Sequence, residues 1–334
     1  MKIWTSTYTL TPRLGTLGGH AKSRRREGVL IRVEHDDKSI GYADIHPWTE
    51  LGDDPLALQL QKLANFETTD LTQRSLELAT LDAEARMTGM SLFHDVHVPN
   101  SHFLITDLKK GFQAELLRAF DEGYTTLKMK VGRSIQSLHE DRAVLERSAA
   151  TLQNFKLRFD FNSQRSHVEV QTWLQSLSPA LRQAIEFVED PCPWNLGAWA
   201  ALRENAHVPL ALDHDSEDIF STPASDGDPI AQLLSDVIVK PAVQDPALIE
   251  NTALKYIVTS YLDHPVGQLG AALEAGYLAE KFNVGVCGLL SHSAYETNSY
   301  SEAFPSKGPL LTPRLNEAGI GFTELLEKEN WQEL

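Results

Sequence analysis

The sequence of 334 residues has few of the features that mark secreted or membrane proteins. It contains only two cysteines, Cys192 and Cys287, and they form no spaced motif, so they are most simply free thiols in a reducing compartment. No run of about 18 apolar residues occurs, and we therefore expect no membrane span. The N-terminal segment lacks the apolar core of a signal peptide. These absences favour a cytoplasmic protein without a membrane partner.

Positive charge is also scarce. Lys and Arg number 30 against 46 Asp and Glu, a net charge of −16, which argues against a nucleic-acid partner. No Gly-x-Gly-x-x-Gly follows the first strand-like run of the alternating region, which weakens a dinucleotide-binding interpretation. The histidines that we considered show no common metal-ligand spacing, and we interpret each as structural: His20, His46, His214, His264 and His292.

From about residue 98, short apolar runs alternate with helical patterns. The eight strand candidates are HFLI, TTLKMKV, KLRFDFN, AIEFVEDP, VPLALDHD, DVIVKPAV, KYIVTS and NVGVCGLL. Between the third and fourth runs, apolar residues recur at i, i+3, i+4 and i+7, as on one face of a helix: Val170, Trp173, Leu174 and Leu177. Eight alternating units predict an α/β protein with a closed (β/α)₈ barrel, and a doubly wound open sheet is the alternative.

Residues 1–97 show a mixed α and β pattern. The segment EGVLIRVEHDDKSIGYADI predicts a hairpin that turns at Asp36 and Asp37. Two helical patterns follow, one around PLALQLQKLA and one in TQRSLELATLDAEARMTGMSLF. We therefore predict an α+β unit ahead of the barrel.

Charged residues close five consecutive strands of the predicted barrel. In chain order, the second to sixth strands end with Lys128 and Lys130, Asp160, Glu189, Asp213, and Lys240. Lysines can also protect an edge strand, and single carboxylates often cap helices. Here the charges follow one another at intervals of about one βα unit, and active sites of (β/α)₈ enzymes lie at the carboxyl ends of the strands. The pattern therefore predicts one shared site.

Three carboxylates that converge in one pocket repel one another unless a cation neutralises them. Oxygen ligands without nearby His or Cys favour Mg²⁺ over zinc, with Mn²⁺ as a substitute. We therefore predict a metal site formed by Asp160, Glu189 and Asp213. Asp215 is the alternative to Asp213 as the third ligand, because the fifth strand ends in the sequence DHDS.

The lysines flank this predicted metal site on neighbouring strands. A lysine near a bound cation has a depressed pKa and can act as a general base, and Lys130 is the candidate. Lys128 points to the same face of the strand, where it would lower the pKa of Lys130 and contact a substrate carboxylate. Lys240, on the opposite side, would stabilise an enediolate that forms when the proton alpha to that carboxylate is removed.

Five motifs together resemble the enolase superfamily, in its muconate-lactonising subgroup. They are Lys-x-Lys, Asp-x-Asn, Glu-Asp-Pro, a fifth-strand Asp and Lys-Pro, on the second to sixth strands. RREGVLIRVEHDDKSIGYADIHP and SYLDHPVG also resemble segments of that superfamily, although Ala43 and Asp44 stand where Gly-Glu is usual. The resemblance implies an enolase-like modified barrel at residues 98–309. It also implies a capping α+β domain at residues 1–97, to which residues 310–334 return.

Within the subgroup, the short chain and the segment VTSYLDHPVGQLGAALEAGYLAEKF are similar to a family of magnesium-dependent dehydratases of menaquinone biosynthesis. This implies the syn dehydration of a cyclohexadiene carboxylate to an aromatic succinylbenzoate. Asn162, Ser260 and Gly267 are the candidate substrate-binding residues, although a loop cap, a helix cap and a packing glycine are the alternatives. We expect a small-molecule carboxylate as substrate, and a monomer is favoured over an oligomer.

Other functions fit parts of the pattern. An N-acylamino acid racemase, or another enzyme of the subgroup, needs the same two opposed lysines. A dipeptide epimerase fits less well, because VCGLLSHSAYE lacks the Asp-x-Asp expected on the eighth strand. A non-catalytic binding barrel would be expected to lose a lysine or a ligand. The Gly-rich and basic segment at residues 13–28 is either a solvated loop or a loop that closes over the substrate.

Overall fold

The structure is a computed structural model, and it describes residues 1–13, 25–109, 111–214, 216–223 and 229–334. Asp215, the alternative third metal ligand, lies outside the described residues, as does most of the segment at 13–28 predicted to cap the site.

The N-terminal part of the chain is an antiparallel sheet with two helices. It comprises β1 (Lys2–Leu10), β2 (Arg26–Glu34), β3 (Ile40–Ile45), α1 (Leu56–Ala64) and α2 (Asp70–Thr88), with a 3₁₀ turn at Thr49–Leu51. The predicted hairpin is β2–β3, with its turn at Asp36 and Asp37. The sequence analysis missed β1, although Thr5, Thr7 and Thr9 alternate there as in a half-buried strand.

Eight parallel strands follow, and each neighbours the next in chain order. They are β4 (Phe103–Ile105), β5 (Thr126–Lys130), β6 (Lys156–Asp160), β7 (Ile185–Glu189), β8 (Leu210–Leu212), β9 (Asp236–Val239), β10 (Lys255–Val258) and β11 (Asn283–Val284). The segments before the first strand and after the last strand are joined by a parallel bridge between Ser101 and Cys287. The His102 amide donates to the Cys287 carbonyl at 2.7 Å. The predicted (β/α)₈-type barrel is confirmed, and the open doubly wound sheet was the wrong alternative.

Helices cover the outside of the barrel. They are α3 (Phe112–Asp121), α4 (Ile135–Arg147), α5 (Ala149–Leu152), α6 (His167–Gln175), α7 (Pro179–Ala184), α8 (Leu196–Ala206), α9 (Glu217–Phe220), α10 (Pro229–Leu233) and α11 (Pro265–Ala279). The apolar positions predicted for α6 are buried. Phe120 in α3 is exposed. It lies eight residues after Phe112, so its side chain is turned by about 80° around the helix axis from that of Phe112. No helix in the described part of the chain is long and apolar enough to cross a bilayer.

The C-terminal residues return to the N-terminal sheet. They form a 3₁₀ turn at His292–Ala294, then α12 (Ser299–Glu302), β12 (Ser306–Lys307), β13 (Leu310–Leu311), α13 (Thr323–Leu326) and β14 (Gln332–Glu333). β14 pairs antiparallel with β1, which gives the N-terminal sheet the order β14-β1-β2-β3. The sheet, its helices and the barrel match the fold that the sequence implied. The domain boundaries at residues 97/98 and 309/310 stay predictions.

A buried polar seam, formed by Tyr8, Asp44, Arg74, Asp263 and Glu274, joins the N-terminal sheet and α2 to the barrel. Asp44 on β3 accepts hydrogen bonds from the Tyr8 hydroxyl at 2.6 Å and from the His264 amide at 3.0 Å. Asp263 is almost fully buried beside it. Burial raises the pKa of Asp44 to about 7, and burial together with Asp44 raises the pKa of Asp263 well above its usual range. The two carboxyl groups therefore retain a proton at pH values where an exposed pair would be ionised.

Arg74 on α2 forms the other half of the seam. Its Nε donates to the carbonyl of Pro241 at 3.1 Å, directly after Lys240 in the chain. Its guanidinium also donates to Asp245 at 3.3 Å and to Glu274 on α11 at 2.5 Å. One side chain from the N-terminal unit thus fixes the loop that follows β9.

We expect Asp263→Asn to stabilise the protein by about 1–3 kcal/mol near pH 7.5. Folding raises the pKa values of Asp44 and Asp263. As the pH rises, the two carboxyl groups therefore lose their protons at a lower pH in the unfolded chain than in the folded protein. The free energy of unfolding therefore falls as the pH rises from about 4 to about 7. Asparagine keeps the shape of a neutral carboxyl group and removes the part of this dependence that comes from Asp263, while burial still raises the pKa of Asp44. Urea unfolding at about pH 5 and about pH 7.5 measures both effects.

Asp121→Asn is the matched control, since Asp121 is exposed at the end of α3. It should leave the stability and its pH dependence as in the wild type. An Asp263→Asn protein that keeps the wild-type pH dependence would show that the two carboxyl groups share no proton.

Candidate active site

A cavity of about 360 Å³ opens at the carboxyl ends of the barrel strands. Six of the nine predicted site residues line it: Lys128, Lys130, Asn162, Asp213, Lys240 and Ser260. The connection after β3 adds Trp48, Glu50 and Leu51. Asp160 and Glu189 do not line the cavity, but both contact the ammonium group of Lys128, which does. Eight of the nine predicted residues are therefore brought together.

Strand register explains why the charges of β5, β6 and β7 meet. Lys130, Asp160 and Glu189 are direct neighbours across the three strands. Lys130 Nζ lies 2.5 Å from Asp160 Oδ2, and Lys128 Nζ lies 3.0 Å from the same oxygen. Lys128 Nζ also lies 2.6 Å from Glu189 Oε1. The two lysines point to one face of β5, as the spacing of two predicts.

The buried charges of this group control one another. Burial alone would lower the pKa of Lys128, but Glu189 and Asp160 outweigh it and hold that pKa above its ordinary value. Burial would raise the pKa of Asp160, but Lys130 and Lys128 hold it well below its usual range. Burial and the nearby Asp160 carboxylate raise the pKa of Glu189. Asp160 contacts both lysines, whereas Glu189 contacts only Lys128, so the charge of Glu189 is less well compensated than that of Asp160.

The turn after β6 brings Asn162 back over the strand end. Asn162 and Ser163 have φ angles of +50° and +55°, in the left-handed region that asparagine tolerates better than most residues. As a result, the Asn162 amide N–H donates to Asp160 Oδ1 at 2.9 Å. Its side-chain oxygen accepts from Lys130 Nζ at 3.0 Å. Asn162 therefore positions both partners of the Lys130–Asp160 pair.

The ends of β8 and β9 provide a second ion pair. Lys240 Nζ lies 2.6 Å from the Asp213 carboxylate, and this contact lowers the pKa of Asp213 against the effect of burial. Asp190 holds the backbone next to this pair. Its carboxylate accepts hydrogen bonds from the backbone amides of Asp213 at 3.0 Å and His214 at 3.3 Å. It also contacts His214 Nδ1 at 2.5 Å, and this bond raises the pKa of His214.

Two groups of side chains could hold a divalent cation. The predicted group of Asp160, Glu189 and Asp213 fits Mg²⁺, because all donors are carboxylate oxygens and Glu189 Oε2 is buried without a hydrogen-bond partner. In Asp190, Asp213 and His214, ligand atoms lie within 4.8 Å of one another. That group fits Mg²⁺ less well, since one of its ligands is the imidazole nitrogen of His214 and Mg²⁺ prefers oxygen ligands.

Ser260 and Gly267 are placed differently. Ser260 lines the cavity, with its Oγ 2.7 Å from Ser291 Oγ. Gly267 lies in the first turn of α11, outside the residues that line the cavity. A Cβ there would lie 2.5 Å from Asp263 Oδ2 and 2.8 Å from Asp44 Oδ2. The prediction that Gly267 binds substrate is therefore corrected: it is a packing glycine that lets α11 approach the seam.

Sequence reasoning missed His102, Asp190, Trp48 and Glu50. Asp190 was visible as the second residue of Glu-Asp-Pro, directly after a predicted ligand. His102 is the first residue of the first strand candidate, HFLI, whereas the predicted charges lie at the carboxyl ends of the strands. Trp48 and Glu50 reach the cavity from a loop outside the barrel, and no local sequence pattern predicts that contact.

Comparisons with known proteins show the family of the chain. Residues 3–85 match the family model described as o-succinylbenzoate synthase, N-terminal domain, and residues 111–221 match one described as enolase C-terminal domain-like. An o-succinylbenzoate synthase from Bdellovibrio bacteriovorus is 35% identical over 344 residues, which cover 100% of this chain and 99% of that protein.

Solved structures share the fold. An N-succinyl Arg/Lys racemase from Bacillus cereus has a TM-score of 0.74 and 15% identity, with 100% of both chains covered. A dipeptide epimerase from Enterococcus faecalis, in complex with Mg and the dipeptide L-Leu-L-Tyr, has a TM-score of 0.74 and 16% identity. The match covers 96% of this chain and 98% of that chain. At such identities the likeness shows the enolase-like fold with its capping domain, and no particular reaction.

Proposed function

Since this chain belongs to the o-succinylbenzoate synthase family of the enolase superfamily, we propose that it is a magnesium-dependent lyase. The reaction is the dehydration of 2-succinyl-6-hydroxy-2,4-cyclohexadiene-1-carboxylate to 2-succinylbenzoate and water. This assignment places the enzyme in menaquinone biosynthesis.

The placement of the lysines supports the step that both candidate reactions share, removal of a proton alpha to a carboxylate. The o-succinylbenzoate synthase that is 35% identical over the full chain favours dehydration. Lys130 and Lys240 line the same cavity, and each is paired with a different carboxylate of the proposed metal site. The cavity of about 360 Å³ falls within the size range of small-ligand sites. A carboxylate substrate bound there has an amine available to take its alpha proton and an ammonium available to stabilise the resulting charge.

Lys130 is the proposed base. It must be uncharged to accept a proton, which requires that it leaves its ion pair with Asp160. It then takes the proton alpha to the ring carboxylate, and the electron pair moves into that carboxylate to give an enediolate. When the pair returns, the hydroxyl group on the adjacent carbon leaves, and the Lys130 ammonium protonates it to water. One lysine serves both steps, so proton and hydroxyl leave from the same face.

Lys240 and Lys128 are proposed to stabilise charge in this sequence. Lys240 would face the enediolate from β9, and Lys128 would contact the ring carboxylate from beside the base. Mg²⁺ held by Asp160, Glu189 and Asp213 would supply positive charge to the substrate carboxylate. Asn162 would keep Lys130 directed into the cavity, and Ser260 would contribute a hydroxyl group to the substrate-binding wall.

Racemisation of N-acylamino acids is the second candidate function. It needs one lysine on each side of the alpha carbon, and Lys130 and Lys240 reach the same cavity from β5 and β9. The lysine pair alone therefore supports either reaction.

The test is a spectrophotometric assay with the cyclohexadiene substrate. The wild-type protein should form the aromatic product in the presence of Mg²⁺ and lose this activity with a chelator, to be restored when Mg²⁺ is added back. No aromatisation, together with magnesium-dependent deuterium exchange into N-acylamino acids, would contradict the lyase and assign the racemase.

A further inference from the structure

We propose that His102 binds the substrate: Arg158 holds its imidazole so that Nε2–H points into the active-site cavity and donates to an oxygen of the ligand. The identity of that ligand rests on the proposed function. The orientation of the His102 ring and its Nε2–H donor do not depend on that function, because they follow from the contact with Arg158.

His102 is held by the closure of the barrel. Its amide donates to the carbonyl of Cys287 at 2.7 Å, where the first and last strands meet. Its side chain is buried and lines the cavity. A Cβ on Gly288 would lie 2.7 Å from His102 Cε1 and 2.9 Å from His102 Nε2. The ring is therefore packed against the backbone at Gly288, and a glycine there is required for it to fit.

The contact with Arg158 fixes the proton of the ring. Arg158 Nη1 lies 3.0 Å from His102 Nδ1. A guanidinium can only donate hydrogen bonds, so Nδ1 must be the acceptor. A neutral imidazole with an accepting Nδ1 carries its proton on Nε2. His102 therefore presents a donor on the side of the ring away from Arg158.

The surroundings also keep the ring neutral. Burial lowers the pKa of His102 well below its ordinary value, and the charges of Arg158 and Lys128 act in the same direction. A second proton would have to sit on Nδ1, facing the guanidinium. The donor therefore persists over the pH range in which an exposed histidine would titrate.

Arg158 is itself fixed below the cavity. It is fully buried on β6, its Nε donates to Glu186 Oε2 at 2.8 Å, and its Nη1 donates to the carbonyl of Val286 at 2.7 Å. Glu186 is paired in turn with Lys255 at 3.1 Å. Arg158 does not line the cavity and acts through His102, which makes it a positioning residue.

His102 Nε2 has no hydrogen-bond partner among the described residues, and Thr259 Oγ1 beside it is buried without one. Both groups lie near Gly288, where β10 and the segment after β11 form the wall. The carboxylates of the proposed metal site lie on β6, β7 and the end of β8. The ring carboxylate is proposed to bind at that metal site. His102 lies on the other wall, so it is placed to bind an oxygen of the succinyl arm.

Three variants separate the donor from the contact with Arg158. His102→Gln places an amide N–H near the position of Nε2. His102→Asn places an acceptor near Nδ1 and no donor at Nε2. His102→Leu removes both. We expect KM for the cyclohexadiene substrate to rise about tenfold in the Asn and Leu variants, with a smaller change in kcat, and His102→Gln to recover part of the loss. His139→Gln is the matched control on the exposed face of α4.

A second measurement does not depend on turnover. In ¹⁵N-histidine NMR spectra near pH 7, His102 should be neutral and protonated on Nε2, and its Nε2 signal should shift when 2-succinylbenzoate and Mg²⁺ are added. An imidazolium, an Nδ1–H tautomer, or unchanged KM in both the Asn and Leu variants would overturn the proposal. If the wild type fails to convert the diene, the proposed function fails. The titration is then repeated with an N-succinylamino acid, and an unmoved Nε2 signal there would overturn the role of His102 as well.

Discussion

Replacing Lys130 by alanine is expected to lower kcat by about 10³-fold or more, because the residue proposed to take and return the proton would be lost. Its ammonium group contacts Asp160 and Asn162 and lines the cavity, so no other lysine of β5 occupies the same position. Lys128 is held by Asp160 and Glu189, and the raised pKa of Lys128 makes it a poor base. Steady-state kinetics with the cyclohexadiene substrate and saturating Mg²⁺ would measure the change.

The fold should survive this substitution. Asp160 keeps its contact with Lys128 at 3.0 Å and its hydrogen bond from the Asn162 amide at 2.9 Å. Lys281→Ala, at an exposed position after α11, is the matched control and should retain wild-type kinetics. A Lys130→Ala enzyme with activity within about tenfold of the wild type would exclude Lys130 as the base and leave Lys240 to be tested in that role.

Replacing Glu189 by glutamine is expected to weaken Mg²⁺ binding by at least about 100-fold and to lower activity in parallel. Loss of a residue that only supports a ligand typically costs 10- to 100-fold in metal affinity, so loss of a ligand should cost at least the upper value. Glu189 Oε2 is buried with no partner, and burial raises the pKa of this group although Lys128 contacts its other oxygen. A cation at Oε2 would therefore compensate this buried charge further. Calorimetric titration with Mg²⁺ would give the affinity.

Thermal unfolding gives an independent reading of the same variant. Without metal, Glu189→Gln should be at least as stable as the wild type, because a poorly compensated buried charge is removed. Added Mg²⁺ should raise the Tm of the wild type and leave that of the variant unchanged. Asp190→Asn serves as the comparison, and it should retain more affinity than Glu189→Gln. The reverse order would place the cation among Asp190, Asp213 and His214 instead.

The strand-end charges could be predicted from sequence because two simple periodicities combine there. Side chains alternate along a strand, so Lys128 and Lys130 lie on one face. The βα units have similar lengths, so Asp160 and Lys240 lie at the same end of the barrel. The positions of these residues needed no knowledge of packing. Their chemical roles remain proposals.

Other parts of the site depend on contacts between distant segments. The orientation of His102 depends on Arg158, which contacts its Nδ1 and lies 56 residues away in the chain. The sequence left a packing glycine open as the alternative for Gly267, and the contact that favours it, the close approach of Asp44 and Asp263, comes from the meeting of β3 with α11. The pairing of Lys130 with Asp160 was likewise unexpected, because the sequence suggests a lysine whose pKa is lowered by a cation.

The seam, with Asp44, Asp263 and Arg74, has a consequence for unfolding, because it joins the N-terminal sheet to the barrel. Separating the N-terminal sheet from the barrel would strip Arg74 of its acceptors on Pro241, Asp245 and Glu274, and would expose the carboxyl pair to water. Since separating the two parts would break all of these bonds, we expect the sheet and the barrel to lose their structure in one cooperative event. Amide protons in β2 and in β5 would then exchange with solvent through the same opening. A substitution in the N-terminal sheet would thus change the lifetime of the catalytic barrel as much as one within it.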